Sequence, residues 1–142
     1  MPLVTRWAIR AAMVYLLLGL LTGTLYWANL QWALWPPLAA LSPTYLHLLV
    51  IGWLTQLVFG VIYWMFPIIN KANMRGDPRL AWSVLLLLNA GMILRLICEP
   101  WRASAPNDLN GLGLVVSAIL LTLAGYLFVV VCWPRVRERA GS

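Results

Sequence analysis

Charge is what this chain has least of. Asp, Glu, Lys and Arg make up 10% of its 142 residues, where an average soluble domain has about 25%. With 63% hydrophobic residues and a mean hydropathy of +0.84, a water-soluble catalytic domain is excluded, and so is a disordered chain. Two cysteines exclude a disulfide-stapled secreted scaffold. A single histidine excludes any centre that needs several imidazoles in one chain.

Long apolar runs are what the chain has in their place. Between Arg10 and Lys71 there is no charged residue. A bilayer crossing uses about 20 mostly apolar residues, so this stretch is too long for one crossing and must fold back. Pro36, Pro37 and Pro43 mark the reversal, because proline lacks the backbone donor that continues a helix. The expected fold is an all-α, integral membrane four-helix bundle with helices over about 10–32, 44–66, 78–98 and 109–133, forming a single transmembrane domain over 1–142. Asp77 followed by Pro78 reads as an N-cap with proline at the first helical position. The polar segment 99–108 is expected to break the third helix. The basic leader before the first apolar run lacks a clear small-residue cleavage site and is expected to stay attached as helix one.

Eight of the ten basic residues, Arg6, Arg10, Lys71, Arg75, Arg79, Arg135, Arg137 and Arg139, fall in three segments on one side of such a bundle. The positive-inside rule then puts both termini in the cytoplasm of a multi-pass protein of the cell inner (cytoplasmic) membrane. The net charge of +6 follows from the same bias and implies no nucleic-acid partner. Tryptophans at the expected helix ends read as a headgroup belt, with Trp53 alone in mid-span. Cys98 and Cys132 fall at opposite ends of the bundle, too far apart for a disulfide.

Few polar residues remain to carry chemistry. His47 lies about one turn inside the second helix, and an ionisable group there is a functional candidate; neutral imidazole is a good ligand for heme iron. The plainer alternative is an interfacial histidine bonded to a loop carbonyl. Arg95 lies at the same depth in the third helix, where its planar donor fork suits a heme propionate. Its plainer roles are an ion pair with Glu99 four residues on, or snorkelling to the headgroups. Gly19 and Gly23 form one small-residue stripe, and Gly52, Gln56 and Gly60 another, suited to close helix packing, a dimer seam or a heme-edge contact. Thr55, Gln56 and Asn89 are mid-membrane polar groups that need partners.

The run SPTYLHLLVIGWLTQLVFGVIYWMFP over residues 42–67 resembles the second helix of subunit I in the heme-copper oxidase and nitric oxide reductase superfamily. It is also similar to short four-helix proteins that carry part of that subunit. The resemblance implies a low-spin heme b with His47 as an iron ligand. It covers about 25 residues. Subunit I has further histidines for copper and a high-spin heme, and none exists here, so the chain alone is not a complete oxidase.

The expectation is a heme b-binding electron-transfer protein or respiratory-complex subunit, working as a homodimer or within a larger respiratory membrane complex. The alternative is a heme-free structural or assembly subunit. Half of a small transporter is a weaker reading, since no broken helix or midplane charge is evident. For the second axial ligand, Met92 is the same-chain candidate. A two-fold pair of chains would instead set His47 opposite His47, with helix two and its small residues as the seam.

Overall fold

A computed structural model describes residues 1–66 and 76–136. The polar turn 70–75 and the tail 137–142, with Lys71, Arg75, Arg137 and Arg139, lie outside the described residues. Four helical crossings, Leu3–Trp32, Pro36–Met65, Pro78–Ser104 and Asp108–Arg135, are each long and apolar enough to span a bilayer. Their fold is all-α over the described residues.

Helix α1 spans Leu3–Trp32. It begins two turns before the expected start because Arg6 and Arg10 point outward and cost the helix nothing at its wet end. Thr5 and Ala8 face inward and are fully buried. The helix ends at Ala33, whose left-handed backbone (φ 48°) returns its N–H to Asn29 O. The Asn29 side chain then accepts Trp35 N at 2.7 Å, which fixes the exit of the chain.

A 3-10 turn, Pro36–Leu41, leads into the second crossing. This crossing consists of α2 (Ser42–His47), a π-helical stretch Leu48–Thr55 and α3 (Gln56–Met65). The wider π turn rotates the two halves relative to each other. Glycines on both sides bring α1 and the second crossing close together. A Cβ at Gly52 would stand 2.7 Å from Tyr15 Cγ, one at Gly19 2.7 Å from Leu49 Cδ2, and one at Gly60 3.1 Å from Ala8 Cβ. Both stripes of small residues are therefore spent on packing α1 against the second crossing within one chain. The small-residue face of the second crossing is thus covered by α1 within the chain.

Asp77 caps α4 (Pro78–Ser104) by accepting Arg79 N at 2.8 Å. The helix continues past Glu99 and Pro100, where the sequence suggested a break. Pro100 removes only the bond to the carbonyl four residues back, and it does so near the helix end. An Asn107 and Asn110 capping box opens α5 (Asp108–Cys132). A Cβ at Gly91 would lie 2.8 Å from Leu121 Cγ, so α4 and α5 pack as closely as the first pair. Cys98 and Cys132 are buried and free.

The bundle is thus two tight helical hairpins laid side by side. Apolar contact between them is concentrated in two clusters. One holds Phe59, Tyr63, Val84 and Val131; the other holds Tyr15, Leu48, Leu88 and Met92.

Candidate functional site

His47 is the last residue of α2, immediately before the π stretch. That position turns its imidazole toward α4, away from the glycine face that meets α1. Arg95 and Glu99 share one face of α4 at i and i+4, and Arg95 Nη1 donates to Glu99 Oε1 at 3.0 Å. The same Nη1 lies 3.3 Å from His47 Nε2. Glu99 Oε1 lies 2.9 Å from His47 Nδ1, off the line of a good hydrogen bond. Arg95 Nε reaches Ser117 Oγ on α5 at 3.3 Å, and Ser117 Oγ donates to Gly91 O at 2.8 Å. One guanidinium therefore links α2, α4 and α5.

These contacts favour one tautomer of the ring. An arginine nitrogen can only donate, so Nε2 must accept and carries the lone pair. The carboxylate beside Nδ1 favours the proton there. Cation on one side and anion on the other select the same tautomer. Glu99 is 8% exposed, and its side chain is held between the two basic groups. Oε2 has no bonded partner.

His47 and Arg95, placed at one depth by the sequence, stand side by side, and the Arg95 and Glu99 pair is present as well. Met92 is 1% exposed inside the apolar cluster with Leu48 and Leu88. Among the described residues, no group of three or more His, Cys, Asp or Glu is placed to hold a metal ion. A heme iron asks less of the protein, one neutral imidazole nitrogen per side. The ring fits that demand in tautomer, and its side chain is 29% exposed. Arg95 is the group that must move off Nε2.

Two further polar links tie the hairpins together at other depths, and neither is visible in the sequence. Tyr15 OH on α1 donates to Asn89 Oδ1 on α4 at 3.0 Å. Asn89 Nδ2 in turn donates to Leu85 O at 2.7 Å. At the end bearing the termini, Arg135 is 1% exposed. Its Nη2 donates to Phe66 O at 2.6 Å and its guanidinium lies 5.4 Å from the Tyr63 ring centroid. The sequence suggested a surface charge there. Of the other mid-span polar groups, Gln56 Nε2 donates to Ala8 O at 3.3 Å and Thr55 Oγ1 to Val50 O at 2.8 Å.

No family model, curated protein or solved structure matches this chain.

Proposed function

We propose that the chain is a b-type heme-binding subunit of the cell inner membrane that carries electrons within a respiratory complex or a homodimer. The observation that carries this reading is the polarity around His47. A carboxylate at Nδ1 and a lone pair on Nε2 are the arrangement that metal-binding histidines use, with the second-shell acid setting tautomer and orientation. His47 Nε2 would hold the iron, and Glu99 would steady the ring behind it. Arg95 is close enough to exchange its contact with Nε2 for a heme carboxylate, which its fork matches better. A bound heme b supplies one-electron exchange at its iron. Because Met92 is enclosed in the core, a second protein ligand to the iron would have to come from another chain, a second copy or a different subunit.

A second reading, a heme-free structural or assembly subunit, is favoured by one specific contact: Arg95 Nη1 already occupies Nε2. In that case the three side chains serve only to clasp the hairpins. Hemin titrated into the purified full-length protein separates the two. Saturable binding with a six-coordinate low-spin spectrum, lost in His47→Ala, supports the first. An absence of binding, together with a drop in thermal stability in His47→Ala, supports the second.

A further inference from the structure

A groove of about 590 Å³ along α1 takes no part in the His47 cluster. It starts at Gly19, just past the middle of the helix, and ends at Trp32, its last residue. Fourteen residues of helix make it about 20 Å long. Half of a bilayer, headgroups included, is about 20–22 Å thick. The groove therefore has the length of one leaflet, the leaflet at the His47 end of the bundle.

Its polarity changes along that length in the same direction. The deep half is bounded by Gly19, Gly23 and Leu49, and the one hydroxyl there, on Thr24, is already donated to Leu20 O at 2.8 Å. The shallow half carries the Gln31 amide and the Trp27 indole. Tyr45 forms one wall, stacked on Tyr26 with ring centroids 5.5 Å apart, and Gly23 lies against it. That wall is fixed before anything binds. Trp27 and Trp32 are 62% and 69% exposed and line its shallow end, and indole rings suit the headgroup zone.

We propose that this groove is a binding site for a single glycerophospholipid of that leaflet. One acyl chain lies along Leu20, Thr24 and Ala28 beside Leu49, and the ester and headgroup region meets the donors of Gln31 and Trp27. The claim is independent of heme. It differs from ordinary solvation by lipid in predicting one retained molecule at one place.

The test uses the full chain in vesicles of phosphatidylethanolamine and phosphatidylglycerol, followed by native mass spectrometry. One phospholipid per chain should survive conditions that strip the remainder. Ala28→Trp, which fills the groove, should lose it. Ile119→Trp, on an exposed face of α5 (53% exposed), should keep it. A phospholipid with a diazirine in its acyl chain, used on the unaltered protein, should cross-link preferentially to residues 19–28 and Leu49, whether or not Ala28→Trp folds. The proposal is overturned if all lipid leaves together, if Ala28→Trp retains its lipid, or if cross-links are as frequent on α5. Cross-links from groove to groove of two copies would also overturn it and make this face a dimer contact.

Discussion

Arg95 Nη1 stands 3.3 Å from His47 Nε2 and 3.0 Å from Glu99 Oε1, so one cation holds both a ring and a carboxylate from neighbouring helices. Removing one member strands the others. Arg95→Leu leaves the Glu99 carboxylate buried without its cation and should destabilise the protein by about 3–5 kcal/mol. The double variant Arg95→Leu with Glu99→Leu should cost much less than the sum, because no buried charge is left unpaired. Denaturation of the four proteins in one detergent gives the coupling. Nitrogen NMR of the His47 ring should show the proton on Nδ1 in the unaltered, heme-free protein, and a mixture of tautomers in Arg95→Leu. Additive stabilities and an unchanged ring would contradict the clasp.

Glycine substitutions separate tight contacts from open space. A methyl at Gly52 would meet Tyr15 at 2.7 Å, whereas a methyl at Gly125 meets nothing within 4 Å and borders a cavity of about 60 Å³. Gly52→Ala should cost about 1–3 kcal/mol through forced repacking. Gly125→Ala should stabilise by about 0.5–1 kcal/mol, since alanine is the better helix residue and its methyl fills space. Thermal midpoints moving the same way in both variants would show that the hairpin packing is misassigned.

Tyr15→Phe removes the one bond from α1 to Asn89. Hydrogen bonds between membrane helices are worth about 0.6 kcal/mol on average and at most about 1.7, so the loss should fall in that range. Asn89 keeps its link to Leu85 O, which limits the damage. A loss several times larger would mean that Tyr15 does more than close this contact.

The four long helices were legible because charge is sparse over stretches long and apolar enough to cross a bilayer. Their ends were less so. Sequence reasoning stopped α1 at Arg10 and α4 at Cys98, but a charged residue at a wet helix end and a proline near a terminus are both cheap. The π stretch after His47 left no mark in composition. The pairing of Arg95 with Glu99 was readable from their spacing. The approach of His47 to both was not, since it depends on how two hairpins meet. Arg135 read as one more basic residue in a charged tail; its burial over Tyr63 depends on the end of α3 arriving beside it.

Orientation is tested by single cysteines in a background without Cys98 and Cys132. Val136→Cys should react with an impermeant maleimide only after the membrane is opened, and Ser104→Cys should react from outside in intact cells. Both positions are exposed. The reverse pattern would invert the charge-based topology and place the His47 cluster at the cytoplasmic face.

The central claim is that His47 holds an iron. Reduced-minus-oxidised difference spectra of the full-length protein, expressed with ample heme and purified, test it most directly. The account predicts a sharp α band and a shifted Soret band, both absent in His47→Ala. In Arg95→Leu any heme that remains should have a more negative midpoint potential, since losing a nearby positive charge favours the oxidised iron. A featureless spectrum from well-folded protein, or bands that persist in His47→Ala, would contradict the account.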